Sequence, residues 1–465
     1  MTLTPLGAAG GEVTGSAYLL ETGRARVLVD FGLFQGGRAL EESNRLPPLV
    51  RPDRLDAVLV THAHLDHTGR LPLLSRAGYA GPVYATPATI ELAGLVLRDS
   101  AKLQAQDIER TNRRRSRAGE EPVEAPYTLE HVAALLGLLR PVPYHEPVTV
   151  APGVTARWFE AGHMLGSASI HVRVETPDGT ARTIEFSGDL GPVTAPILRE
   201  FEAAPRSDVV VLESTYGDRD HRPLAETVRE FTGILQRAVA EKGKILVPTF
   251  AIGRAQLLIL LLAELFRRKA VAPFPIFLDS PMAIEATAIY QRHPELYDEE
   301  MRAFIRERSV REELHTLQPC PTAEDSRRIN DLPGPLLVLA GNGMCSGGRI
   351  VHHLRHNLGR PGTHVLIVGF QARGSLGRRL VERDPQVRVL GDEITVRAQV
   401  HTLGGFSAHA GQTDLLKWFA HLAASQPRVL LTHGEDGPRR ALAARLGELH
   451  GVRVELPELA EPFTV

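Results

Sequence analysis

The 465-residue chain predicts an α/β protein in which a β-rich part is interrupted by a domain built on a parallel sheet. Three observations lead there. The first part is made of short β-branched apolar runs joined by glycine turns. From about residue 224, amphipathic helical runs alternate with fully apolar strand-like runs, the signature of a parallel sheet flanked by helices. Near residue 395 the earlier style returns.

Taken in order, "SAYLLET" and "ARVLVDFG" around the turn "TGR" read as paired strands, and "AVLVTHAHLDHTG" as a strand running into a loop. Residues 86–107 show helical spacing. The run "RTNRRRSRAGEE", Arg110–Glu121, is charged and aperiodic, and reads as a solvated loop rather than an RNA-binding patch. "GVTARWFEAGH", "ASIHVRVET", "RTIEFSGDLG" and "SDVVVLESTYGD" read as strands. The second texture follows: the helix "LAETVREFTGILQRAVAEKG", the buried strand "KILVPTF", the helix "GRAQLLILLLAELFRR" and the strand "FPIFLDSP". "PLLVLAGNG" and "HVLIVGF" are further strands that enter glycine-rich turns. The chain closes on "EITVRAQVHTLGGFSAHAG", a helix and "RVLLTHGE".

Formal charge is −2, so no global basic field marks a nucleic-acid binder, although a local groove suffices for one. Two cysteines, Cys320 and Cys345, make no disulfide framework and their spacing suits no zinc knuckle. The chain therefore reads as cytoplasmic. No apolar run approaches the roughly 20 residues of a membrane span, and the start lacks the pattern of a signal peptide.

The stretch Thr61–Gly69, "THAHLDHTG", gathers His62, His64, Asp66 and His67 at a strand end. Packing four such groups together without a cation would leave unmet polar atoms and mutual repulsion, at a cost of several kcal/mol. His62 and His64 can chelate one ion, and Asp66 and His67 can reach another. Imidazole with carboxylate is the ligand set of catalytic zinc. His163, Asp189 and His433 each follow an apolar run at or beside a glycine, where a strand presents a ligand at a sheet rim. His171, His352, His353, His356, His364 and His421 read as surface or packing histidines.

"THAHLDH" resembles the signature of the metallo-β-lactamase superfamily, and the further pieces resemble its β-CASP nucleases, which include RNase J and the nuclease subunit of the pre-mRNA cleavage and polyadenylation machinery. Asp30 in "LVDFG", "HAHLDH", His163 and Asp189 match the four metallo-β-lactamase motifs in order. Glu213 in "LESTYGD", His409 in "GFSAHAG" and His433 in "THGE" match the three β-CASP motifs. The resemblance implies an αββα sandwich with a β-CASP domain inserted at residues 209–395, between metallo-β-lactamase parts at 1–208 and 396–465. It implies one ion on His62, His64, His163 and Asp189. A second would sit on Asp66, His67, Asp189 and His433, with Asp189 bridging and Asp30 supporting. Zinc is the first expectation and manganese the alternative, since N/O donors accept both.

Two ions suit hydrolysis of a phosphodiester by a hydroxide formed between them. His409 would protonate the leaving oxygen, and Glu213 would orient His409 and keep it protonated. Two strand–glycine turn–helix units, "GNGMCSGGR" and "GFQARGSLGRR", point Ser346, Gly347, Gly348, Arg349, Arg373 and Ser375 at phosphates, with Arg254, Gly10 and Gly11 as weaker candidates. His433 at the third β-CASP motif favours RNA, single-stranded, over DNA. Endonuclease action, 5′-exonuclease action and a homodimer are all compatible with the resemblance. The short stretch after "THGE" suggests a bacterial member without the C-terminal domain of RNase J. Competing readings are a DNA-directed β-CASP nuclease, an inactive RNA-binding paralogue, and a glyoxalase II-type thioesterase or lactonase; the last lacks the inserted domain.

Overall fold

The computed structural model describes every residue except 37–39, 41, 177–178, 370 and 372–373. The chain divides into two compact units. The first comprises Met1–Val193, Glu200–Asp220 and His409–Val465, and the second Thr194–Arg199 and His221–Ala408.

Two seven-stranded sheets form the first unit. One contains β1 (Thr2–Gly7), β2 (Ala17–Glu21), β3 (Arg26–Val29), β4 (Ala57–Leu59), β5 (Val83–Ala85) and β6 (Leu139–Pro141), with β22 (Phe463–Thr464) against β1. The other runs in the order β21-β20-β11-β10-β9-β8-β7, made of β7 (Val148–Ala151), β8 (Val154–Glu160), β9 (Ala168–Glu175), β10 (Ala181–Phe186), β11 (Val209–Glu213), β20 (Arg428–Thr432) and β21 (Val454–Glu455). The period-2 alternation of a strand decides which residues face which layer. Val27, Val29, Ala57 and Leu59 of the first sheet meet Trp158, Ile170, Val209 and Val211 of the second in one core between the sheets. Leu28 and Val58 face outward against the helices Leu71–Arg76, Pro87–Arg117 and Leu129–Leu138. Val210, Leu212, Val429 and Leu431 face outward against Gln412–Ala420 and Asp436–His450. The result is a helix–sheet–sheet–helix sandwich. Trp158 is fully buried and its indole N–H donates to the carbonyl of Val60 at 3.3 Å, which ties the second sheet to the chain that follows β4.

The second unit holds a six-stranded sheet in the order β14-β13-β15-β12-β16-β19, with every pairing parallel. Its strands are β12 (Lys244–Pro248), β13 (Ile276–Asp279), β14 (Leu317–Pro319), β15 (Leu336–Ala340), β16 (Thr363–Ile367) and β19 (Gln399–Thr402), and a hairpin of β17 (Gln386–Val389) and β18 (Asp392–Thr395) completes it. Both faces are covered. Ile245, Val247, Leu337 and Leu339 pack on one side, and Leu246, Leu336, Val338 and Val365 on the other. That double burial is why these strands read as unbroken apolar runs.

The compact units divide at 220/221 and 408/409. The reason is strand pairing: β11 lies between β10 and β20 in the first unit, while β19 joins β16 in the second. One expectation changes: the stretch Arg110–Arg117 is helix, the last turns of Pro87–Arg117, and not loop. Its residues are mostly exposed, so no apolar period marks them, and the pair Arg113–Glu109 supports the helix at i, i+4 spacing. Among the described residues, no helix is long and apolar enough to cross a membrane.

Candidate metal centre

Every functional side chain of the first unit sits just past, or at, the carboxyl end of a strand or at the entry to a helix. Asp30 follows β3, His62 and His64 follow β4, His163 follows β8, Asp189 follows β10, Glu213 ends β11 and His433 follows β20. Strands β3 and β4 are parallel; so are β10, β11 and β20, and β8 is antiparallel to β9, which is antiparallel to β10. Within each sheet these strands therefore run the same way, and their loops emerge at one rim. A four-residue helix, Leu65–Thr68, carries Asp66 and His67.

The geometry brings all seven candidate ligands into two groups that share Asp189: His62, His64, His163 and Asp189, and Asp66, His67, Asp189 and His433. In the first group, His64 Nδ1 lies 3.2 Å from His62 Nε2 and 3.1 Å from His163 Nε2, and Asp189 Oδ2 lies 3.4 Å from His62 Nε2 and 3.6 Å from His163 Nε2. In the second, His67 Nε2 is 3.3 Å from His433 Nε2 and 3.2 Å from Asp189 Oδ1. His433 Nε2 is 3.5 Å from both Asp189 Oδ1 and Asp66 Oδ2. Four tetrahedral donors about 2.0–2.1 Å from a zinc ion stand about 3.3–3.4 Å from one another. The donor spacings of both groups match that edge length. Asp189 supplies a second test. Its carboxylate is buried and neither oxygen has a well-directed hydrogen bond, each only facing imidazole nitrogens at 3.2–3.6 Å. A buried carboxylate with both oxygens unsatisfied is costly unless a cation meets it, and each oxygen faces a different group. The donor set fits divalent cations.

The protonation states of the three histidines in the first group agree. Burial, with the neighbouring imidazoles, drives His62, His163 and His64 toward the neutral form, His64 down to about 3. Neutral imidazole is the form that binds a metal. Burial also opposes charge on His67, but Asp189 and Asp30 outweigh it and raise its pKa well above the usual value. Burial opposes charge on Asp189 too, yet the surrounding histidines, led by His433, hold it well below the carboxylate range.

The ligand side chains are themselves held. Asp30 Oδ2 lies 2.8 Å from His67 Nδ1, which leaves Nε2 to face the site, and Asp30 also accepts from the backbone N–H and hydroxyl of Thr61 at 2.8 and 2.7 Å. Such partners orient ligands and raise their basicity. Asp30 and His433 adopt positive φ, 56° and 52°, a conformation that costs on the order of 1–3 kcal/mol for a non-glycine residue. It persists because both are pinned: Asp30 as described, His433 by its N–H on the carbonyl of Ala8 at 2.7 Å and by the Thr215 hydroxyl 3.1 Å from Nδ1. At Gly32 a Cβ would stand 1.5 Å from the Asp66 carbonyl, so only glycine lets this strand end pass behind the Asp66–His67 turn. The buried guanidinium of Arg70 donates to the carbonyls of Gly32 and Gly15 and stacks over Phe31 and Phe34, bracing the same turn.

His409 borders both groups. Its Nε2 is 3.9 Å from Asp189 Oδ2 and its Nδ1 is 3.3 Å from Glu213 Oε1, while its ring lies 4.6 Å from that of His163. Burial opposes its charge, but the Glu213 carboxylate outweighs this and lifts the pKa to about 9. Glu213 is itself fixed, because it accepts from the N–H groups of Leu190 and Thr215 at 2.8 and 3.2 Å.

Of the described phosphate candidates, Ser346, Gly347, Gly348, Arg349, Ser375 and Arg254 belong to the second unit, and Gly10 and Gly11 to the first. Ser346 is exposed and Gly348 has φ of 72°. Ser375 caps the helix Leu376–Val381 by accepting from Arg378 N–H at 3.1 Å. The guanidinium of Arg349 donates to Asp279 Oδ1 at 2.7 Å and to the carbonyls of Cys320 and Pro321 at 2.5 and 2.9 Å, which ties it into the unit through three of its N–H groups. Arg373 lies outside the described residues. Arg254 is buried at the start of the helix Arg254–Arg267, and Gly10 is held by its N–H on the carbonyl of Pro457 at 3.0 Å, with Gly11 next to it. His353, read as a packing histidine, is buried with Nε2 2.7 Å from Asp279 Oδ2. Sequence reading missed Thr61, Thr215 and Arg70. The two threonines stand inside the motifs "THAHLDH" and "LESTYGD", a hydroxyl beside a ligand, whereas nothing local announces a buried arginine.

The chain matches the model of the metallo-β-lactamase superfamily over residues 10–249, the Beta-Casp domain over 255–380, and the Zn-dependent metallo-hydrolase RNA specificity domain over 393–457. It is 43% identical to Ribonuclease TTHA0252 of Thermus thermophilus over 465 residues, 100% of both chains. It is 32% identical to Transcription termination factor FttA of Methanothermobacter thermautotrophicus over 469 residues, 96% of this chain and 69% of that one. A crystal structure of a protein of unknown function from Enterococcus faecalis superposes with a TM-score of 0.53 at 15% identity, covering 100% of this chain and 99% of that one, a likeness of fold. The chain belongs to the metallo-β-lactamase superfamily, in the branch that carries a β-CASP domain.

Proposed function

We propose that the protein is a metal-dependent ribonuclease that hydrolyses phosphodiester bonds of single-stranded RNA. One observation carries the reading most: the buried Asp189 offers one unsatisfied oxygen to each of two donor groups, and a His409–Glu213 pair borders both. The description of the RNA specificity domain and the name of the Thermus relative support RNA as substrate.

His62, His64, His163 and Asp189 would hold one ion, and Asp66, His67, Asp189 and His433 the other. Five imidazoles among these seven residues favour zinc, with manganese as the alternative. When bound, the ions supply Lewis acidity, acidifying water and neutralising phosphate charge. The protein's own groups do the rest. Asp30 holds the proton on His67 Nδ1 and so keeps Nε2 free to bind. Glu213 accepts from His409 Nδ1–H, which leaves the proton of Nε2 facing the reacting bond. His409 delivers that proton to the departing ribose oxygen, a poor leaving group as an alkoxide. Glu213 raises the pKa of His409, which keeps the ring protonated as a general acid.

The test combines metal analysis with cleavage of labelled RNA. The purified protein should carry about two ions per chain and cut RNA. Asp189→Ala should lose both the metal and the cleavage. RNA cleavage that survives in this variant would overturn the proposal. A circular RNA beside a 5′-monophosphorylated linear one separates endonuclease from 5′-exonuclease action.

A further inference from the structure

In the parallel sheet of the second unit the chain leaves β12 for β13 on one side and later leaves β15 for β16 on the other. Ligands of such sheets bind beyond the carboxyl ends of strands where the order reverses. Three segments emerge there: Thr249–Gly253 after β12, Gly341–Arg349 after β15, and Val368 and Gly369 after β16. The first carries Phe250, which is 43% exposed, whereas every other described phenylalanine is buried or half-buried.

The ring of Phe250 is not a loose surface side chain. A Cβ at Gly343 would stand 3.0 Å from its Cδ2 and Cε2, and one at Gly369 3.6 Å from Cε2. Two glycines from the neighbouring turns thus let backbone back the ring directly. The N–H of Thr249 is also tied to the carbonyl of Ala340 at 3.0 Å, fixing the start of the first turn to the end of β15. The exposed Asn342 and Ser346 lie in the turn that flanks it. Water-exposed aromatic surface held rigid, beside polar turns at a sheet's switch point, suits a planar apolar ligand joined to a polar backbone.

We propose that Phe250 is a stacking platform for a base of single-stranded RNA. This rests on the ribonuclease reading and adds a contact that places the substrate. Every base has a face that stacks on a ring, so the platform grips without reading sequence.

The experiment measures binding of a 12-nucleotide single-stranded RNA to the chelator-treated full chain, so that nothing is cut. Phe250→Ala should weaken binding roughly 5- to 150-fold, the range for one stacked base, while Phe250→Tyr keeps it near the wild-type value. Phe250→Trp should bind normally and its fluorescence should be quenched on RNA addition; the native Trp158 and Trp418 are fully buried and contribute little change. Equal affinity for wild type and Phe250→Ala, or an unquenched Phe250→Trp protein that binds RNA, overturns the platform. A melting curve controls for folding. If the wild type neither binds nor cuts RNA, the ribonuclease reading fails instead.

Discussion

At the scale of the residue, the protein turns on groups whose chemistry is set by their neighbours. Asp189 in "SGDLG" looks like any turn aspartate until its two buried, unsatisfied oxygens are placed between two sets of imidazoles. In the proposed reading Asp30 acts through His67, whose Nδ1 it meets at 2.8 Å. In Asp30→Asn, the loss of a carboxylate behind Nδ1 should weaken metal binding roughly 10- to 100-fold, read by competition with a chelator. Unchanged affinity would remove Asp30 from the support. In the proposed reading Glu213 acts through His409; it clusters with Asp189 and His409 but stands in neither of the two proposed ligand sets. Glu213→Gln should therefore leave metal content intact while kcat falls roughly 10²- to 10⁴-fold. Its pH–rate profile should lose the limb set by His409, because without the carboxylate the ring no longer holds its proton into the alkaline range.

At the scale of the element, the second unit depends on a polar knot under its sheet. Asp279 ends β13 and accepts from Ser326 Oγ at 2.6 Å and from Arg349 at 2.7 Å, with His353 Nε2 at 2.7 Å. Burial would raise its pKa, but these hydrogen bonds, led by His353, outweigh burial and lower it. A lowered carboxylate pKa stabilises the fold above the unfolded value, about pH 4, and the contribution fades as pH falls through the folded value. Asp279→Ala breaks the knot and should cost about 3–5 kcal/mol in urea unfolding, with metal content unchanged. Its stability should fall less steeply than the wild type's as pH drops below about 4. The same element view explains what was legible. Buried strands of the parallel sheet announce themselves because both faces are covered. The turns Arg110–Arg117 do not, because an exposed helix carries no apolar period. The destiny of Arg349 was also hidden: from the sequence it is a cation after a glycine turn, and only the fold shows Asp279 and two carbonyls taking three of its N–H groups.

At the scale of the whole molecule, the proposed metal centre belongs wholly to the first unit, assembled from chain segments on both sides of the second. Cations that bind only the folded first unit stabilise it by linkage, about 2.7 kcal/mol when free metal is a hundred times its Kd. Calorimetry should accordingly show chelation lowering the melting of the first unit, and readdition of zinc restoring it. A melting profile indifferent to chelator would contradict the assignment of the seven ligands.

The sequence by itself determined the class of fold, the order of its textures and the candidate metal cluster, because periodicity and a dense group of histidines are local signals. It also pointed to the distant ligands, through short motifs that match in order. What tertiary structure alone decided is which strands share a sheet, hence where the units divide, and which buried atoms lack partners. Those depend on pairing and packing between segments hundreds of residues apart, and no local pattern encodes them.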